Sequence, residues 1–230
     1  IVIHRFDTYA SIVTIGSNNQ IKKTPVSAWA SERFNKVVPA MSLSAGAVLL
    51  KAFCVYEGQQ IVLASKDGFA CRFNVDQLPS TGVRSKGVKA MNLSASDALV
   101  SGTAVNPQDS AVMIMSTDGG IKRTYLQEIP EGNRPLKGVM ICRKLKKNPS
   151  QIAVVRHIQA SDELIFTDPD IKKIRAVDIP LKQKDAGFSS PLELKEGWNL
   201  YEDIEECRII DIPDGEQQQI HEDVEKLTLF

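Results

Sequence analysis

An apolar strand, a tight turn and a second strand carrying basic residues recur four times along this 230-residue chain, at a spacing close to fifty. In the first copy Ile12–Ile15 turns through Gly16–Gln20 into Ile21–Thr24, and in the second Ile61–Ala64 turns at Asp67-Gly68 into Phe69–Arg72. The third runs from Val112–Met115 through Asp118-Gly119-Gly120 into Ile121–Thr124, and the fourth from Leu164–Thr167 through Asp168-Pro169-Asp170 into Ile171–Ile174. Gly, Asn and Asp between two apolar runs mark hairpins. Counted from the residues that follow the turns (Ile21, Phe69, Ile121 and Ile171), the steps are 48, 52 and 50. A lone hairpin cannot bury a core, so units of this period must stack as blades or as an array.

Two further strand-like runs follow each of the first three hairpins. They are Val38–Leu43 with Val48–Phe53, Val88–Leu93 with Ala98–Val100 and Thr103–Val105, and Gly138–Cys142 with Ile152–Val155. The expected fold is therefore all-β, a propeller-like disc of about 50-residue four-stranded blades. The units fall near 10–58, 59–108, 109–160 and 161–207 of a domain spanning 1–207. Residues 208–230 read as a degenerate last hairpin or an acidic tail. Ile1–Phe6 resembles Leu49–Phe53 and reads, with no initiator Met before it, as the last strand of a unit cut off upstream.

No run approaches the length of a membrane span, so a cytoplasmic protein with no membrane partner is expected. Cys54, Cys71, Cys142 and Cys207 show no CxxC spacing, and buried free thiols are expected. The three histidines are far apart, and no GxSxG, P-loop or dinucleotide fingerprint occurs. No catalytic, metal or cofactor site is expected within this chain.

Net charge is zero, but its distribution is not even. Residues 1–160 hold 20 Lys+Arg against 10 Asp+Glu, and residues 161–230 hold 8 against 18. This points to a polyanion-facing body with an acidic end that could compete for it. The repeated cations are Lys22 and Lys23, Arg72, Lys122 and Arg123, and Lys172 and Lys173, directly after the turns. A second set lies in the loops that follow: Arg33 and Lys36; Arg84, Lys86 and Lys89; Arg134 and Lys137. Arg143 and Lys144 open a third cluster. Equivalent positions on stacked blades form a stripe suited to duplex phosphates, and the few aromatics sit mostly in strands, which disfavours single-strand stacking. Lysines after turns also serve as ordinary edge protection, and a protein-docking propeller is the competing class.

The phrases Asn19-Gln20-Ile21-Lys22-Lys23-Thr24, Gly120-Ile121-Lys122-Arg123-Thr124 and Arg84–Leu93 resemble the C-terminal domain of bacterial type IIA topoisomerase A subunits. The resemblance covers residues 1 to about 180. It implies a β-pinwheel, a disc whose neighbouring blades exchange strands and whose basic rim bends double-stranded DNA. It also implies that the breakage–reunion part of the same polypeptide, with its cleaving tyrosine and magnesium site, lies elsewhere, and that ATP is handled by a B subunit. Gyrase A subunits carry a Gln-Arg-Arg-Gly-Gly-Lys-Gly box in one blade loop. The loops here keep one Arg and one Lys each, as at Arg33 and Lys36, Arg84 and Lys86, and Arg134 and Lys137, and look more like topoisomerase IV.

Overall fold

The computed structural model describes residues 9–30, 37–143, 149–168, 170–195 and 197–201, together with the backbone pairing of 2–3 and 206–207. The strands, in chain order, begin with β1 (Val2–Ile3), β2 (Ser11–Gly16), β3 (Gln20–Pro25), β4 (Leu49–Val55), β5 (Gln60–Ser65) and β6 (Phe69–Asn74). Then come β7 (Val88–Lys89), β8 (Leu99–Val105), β9 (Ala111–Ser116), β10 (Ile121–Tyr125), β11 (Val139–Met140) and β12 (Ile152–His157). The last are β13 (Glu163–Asp168), β14 (Asp170–Arg175), β15 (Leu181–Lys182), β16 (Asn199–Tyr201) and β17 (Glu206–Cys207).

These strands form four blades, ordered β4-β2-β3-β7, β8-β5-β6-β11, β12-β9-β10-β15 and β16-β13-β14, with β1 and β17 forming a separate parallel pair. Each of the first three blades takes its outermost strand from the following unit. Val88 pairs with Ile21, and Val139 pairs with Ala70. In the third blade Leu181 lies parallel to Arg123, and Ser189 bridges Ile121 antiparallel. The β-pinwheel expectation holds, and the expected four strands per unit resolve into three of the unit's own and one lent backwards. Val38–Leu43 forms only an isolated bridge at Ser42, because within the described residues no earlier blade stands ready to receive it. The two runs expected at Ala98–Val105 are one strand, β8. Register also corrects the phase of the repeat. Ala70, not Phe69, occupies the place of Ile21, Ile121 and Ile171, which makes the steps 49, 51 and 50. Residues 208–230, with the expected hairpin or acidic tail, lie outside the described residues.

Stacking explains the unbroken apolar runs. In β5 and β9 every residue is buried, since each sheet is covered on both faces. Ile61 and Leu63 pack towards blade 1 with Val13 and Ile15, whereas Val62 and Ala64 pack towards blade 3 with Val112 and Ile114. Met113 and Met115 then meet Leu164 and Phe166 of blade 4. The innermost strands β4, β8, β12 and β16 surround an axial cavity of about 510 Å³. A single 3₁₀ turn follows each hairpin, at Val26–Trp29, Val75–Gln77, Leu126–Glu128 and Ala176–Asp178. The first amide of each donates to the chain just before its own hairpin, for example Leu126 N–H to the Ser110 carbonyl at 2.9 Å. Cys71 and Cys142 are buried free thiols, as expected, but Cys54 is disulfide-bonded, which corrects the expectation of free thiols throughout.

Strand exchange requires very close backbone contact. A Cβ on Gly138, which sits at φ +82°, would collide with the Ala70 carbonyl, and one on Gly87 would stand 2.7 Å from the Ile21 carbonyl oxygen. Gly138→Ala is therefore predicted to destabilise the disc by about 3 kcal/mol. Gly82→Ala, with nothing within 4 Å of its Cβ position, is predicted to stay within about 0.5 kcal/mol. Urea unfolding of the two variants checks the difference; equal midpoints would refute it.

Candidate nucleic-acid interface

Phase along the second hairpin strand gives the two repeated cations different surroundings. The first of each pair points into the protein. Lys22 is 2% exposed and its Nζ donates to the carbonyls of Ala40, at 2.7 Å, and Val83. Lys122 is fully buried and donates to the carbonyls of Gln183, Lys184 and Ala186 at 3.1, 2.7 and 2.8 Å, with the Phe188 ring 5.4 Å away. Lys172 reaches the carbonyls of Leu192 and Glu193 at 3.0 and 3.2 Å. These ammonium groups bind loop carbonyls as a bound cation would. In blade 2 the same position is Cys71, buried in the apolar cluster against which Leu136 of the next unit packs.

The second cation of each pair reaches the 3₁₀ turn of the next unit. Lys23 Nζ donates to the Val75 carbonyl at 3.2 Å, and Arg72 Nε to the Ile129 carbonyl at 2.7 Å. Arg123 Nε donates to the Ile179 carbonyl at 2.9 Å. All three are half-buried. Burial pushes the Lys22 and Lys122 side chains down, each to about 8, and also lowers Arg72. The structure corrects the expectation that Lys22 and Lys122 line a DNA rim, because neither ammonium can meet a phosphate without leaving the carbonyls it satisfies.

The loop cations stand differently. Arg84, Lys86 and Lys89 are exposed, on and before β7, the outermost strand of blade 1. Lys137 and Arg143 are exposed on either side of β11, the outermost strand of blade 2. Arg134 is half-buried and acts as a brace, its Nη2 donating to the Lys89 carbonyl at 2.8 Å and its Nη1 to the Gln77 carbonyl at 3.4 Å. Asn92 donates its side-chain amide to the Pro135 carbonyl at 2.6 Å. These bonds join the two outer loops, so Lys89 and Lys137 belong to one continuous stretch of rim. Lys137 lies 4.2 Å above the Phe69 ring, which holds its charge at the surface. Arg33, Lys36 and Lys144 fall outside the described residues.

The model of the DNA gyrase C-terminal domain, a β-propeller, matches residues 59–106 and 111–155. The A subunit of DNA topoisomerase 4 from Bacillus subtilis is 30% identical over 155 residues, which are 67% of this chain and 19% of that protein. The Streptococcus pneumoniae counterpart is 30% identical over 154 residues, 66% of this chain and 18% of that protein. The crystal structure of a topoisomerase IV C-terminal domain superposes with a TM-score of 0.78 at 25% identity, covering 88% of this chain and 65% of that one. This chain is a C-terminal domain of the bacterial type IIA topoisomerase A family. The DNA gyrase A C-terminal domain shares the fold, with a TM-score of 0.73 at 20% identity over 85% of this chain and 65% of that one. The chain spans about a fifth of the length of the curated relatives it matches.

Sequence reasoning misses the buried lysines as structural parts, although one signal is available. A position that alternates between Lys and Cys across repeats, at Lys22, Cys71 and Lys122, is not one that faces water. Lys122→Met is predicted to cost about 3 kcal/mol by leaving buried carbonyls without a donor. The gap between wild type and Lys122→Met should widen as pH rises from about 8 towards 10.5. In that window the folded Lys122 side chain has released its proton and the unfolded one still holds it, so wild type gains a stability increment that the variant lacks, while Lys22 contributes equally to both. Denaturant titrations of both proteins across that range measure it; a constant gap would show that Lys122 keeps its proton in the fold.

Proposed function

We propose that this chain is the DNA-binding and DNA-bending domain of a topoisomerase IV-type A subunit. The supporting observation is the exposed row Arg84, Lys86, Lys89, Lys137 and Arg143 along the outer strands of successive blades, held in line by the Arg134 brace. Bending 20–30 base pairs through 40–90° costs about 1–6 kcal/mol, which a row of phosphate contacts offsets without reading any base. A duplex laid along a disc edge follows its curvature.

On this reading the domain has no chemistry of its own. It presents a curved duplex to the breakage–reunion part of the same polypeptide, which cleaves DNA with its tyrosine and magnesium, while a B subunit supplies ATP turnover. It thereby favours relaxation and decatenation during chromosome segregation in the bacterial cytoplasm. Full wrapping of the gyrase kind would need a more strongly basic loop than the one-Arg, one-Lys loops Arg84–Lys86 and Arg134–Lys137.

Fluorescence anisotropy with a labelled duplex of about 40 base pairs tests the reading. Five phosphate contacts predict a log–log salt slope near −4.5, from about −0.9 per contact, with no preference for sequence. Alanine at Arg84, Lys86, Lys89, Lys137 and Arg143 together should flatten most of that slope, whereas Lys23→Ala should leave it nearly unchanged. A wild-type chain that fails to bind at low salt would reject DNA as the ligand.

A further inference from the structure

The loop that carries Arg84 and Lys86 is fastened from two directions. From beneath, the buried Lys22 ammonium donates to the Val83 carbonyl and, at 2.7 Å, to the Ala40 carbonyl. From the side, the Ser42 amide donates to the Ser85 carbonyl at 3.2 Å, and Ser42 bridges Lys86 in parallel. The loop also closes on itself, the Ser85 amide and hydroxyl both donating to the Gly82 carbonyl, at 3.2 and 2.6 Å. Arg84 therefore lies between two residues whose carbonyls are held, and Lys86 directly follows the second. Ala40 and Ser42 stand two residues apart, so the ammonium steadies both the loop and the segment that carries its other fastening.

The matching loop on blade 2 is built otherwise. The Asn92 amide donates to the Leu136 carbonyl at 3.1 Å, the counterpart of Ser42 on Ser85, but Cys71 stands in the place of Lys22. Leu136 packs against the apolar cluster from above, and Arg134 braces the loop through the Lys89 and Gln77 carbonyls. Lys22 thus bears on one stretch of the rim and not on the next.

We infer that Lys22 is a positioning residue for DNA: it touches no phosphate itself but holds Arg84 and Lys86 where a duplex on the rim meets them. The inference rests on the DNA reading of that rim. At 2% exposure the ammonium is sealed beneath the loop, so its effect on a ligand passes through the side chains above it. A loop already held in its bound shape gives up little conformational freedom when DNA arrives, whereas a released loop must be ordered at that moment. A buried charge also adds to the field of the rim, and the two roles depend on different things. A field acts on DNA whichever side chains lie above it, but a clamp acts only through the side chains it places.

Affinity for the labelled duplex tests this in wild type, in Lys22→Met, in Arg84→Ala with Lys86→Ala, and in the combination of all these substitutions. Lys22→Met is expected to weaken binding about tenfold where Arg84 and Lys86 are present, and less than about twofold where both are alanine, since coupling through those side chains makes the losses non-additive. In a Lys137→Ala background, which changes blade 2 only, the full loss should persist. Equal losses with and without Arg84 and Lys86, or no loss in either, would overturn the assignment while leaving the DNA reading intact. A wild-type chain that does not bind the duplex rejects the DNA reading and this assignment with it. Should Lys22→Met fail to fold, Ser42→Pro removes the other fastening at an exposed position and must show the same dependence on Arg84 and Lys86.

Discussion

Glycine pressed against a neighbouring carbonyl, Gly87 on Ile21 and Gly138 on Ala70, is the contact that lets one unit complete the sheet of another. Everything else in the disc follows from that lending of strands. Without its lent strand a blade leaves an apolar residue of its second hairpin strand in water, as Ile171 shows at the one edge that is open among the described residues. Stability in such an arrangement is a sum of nearest-neighbour terms, as in solenoids, but here the terms are backbone ladders as well as side-chain packing. Adjacent blades therefore order each other.

The cations divide into two kinds because the cost of burial separates them. A buried ammonium is tolerable only where hydrogen bonds replace its water, and Lys122 finds three carbonyls from one loop of the following unit. It fixes that loop in place as a metal ion would. An exposed cation such as Lys86 or Lys89 incurs no desolvation cost and releases counterions when it meets phosphate. Arg72, Arg123 and Arg134 stand between these limits and bind blades or loops together. The rim can therefore change its charge without loosening the disc.

The repeat, the all-β class and the pairing within each hairpin were legible because period-two apolar patterns and Gly/Asn/Asp turns are local. The basic loops at Arg84–Lys89 and Arg134–Lys137 were legible as candidates for the same reason. The role of Lys22 and Lys122 was not, since a lysine looks solvated until the loop that caps it is in place, and that loop lies some sixty residues further along. Nor was the ownership of strands legible: Val88–Lys89 reads as part of its own unit and serves the preceding one.

The sequence alone thus determined the number and nature of the repeating units, the apolar faces that force them to stack, and the family to which they belong. Tertiary structure decided which cations face water, which loops lie side by side on the rim, and which edge is open among the described residues. The physical reason is range. Turn and strand preferences act within a few residues, whereas a carbonyl that captures a lysine, or a glycine that admits a neighbouring strand, acts only once units about fifty residues apart have met.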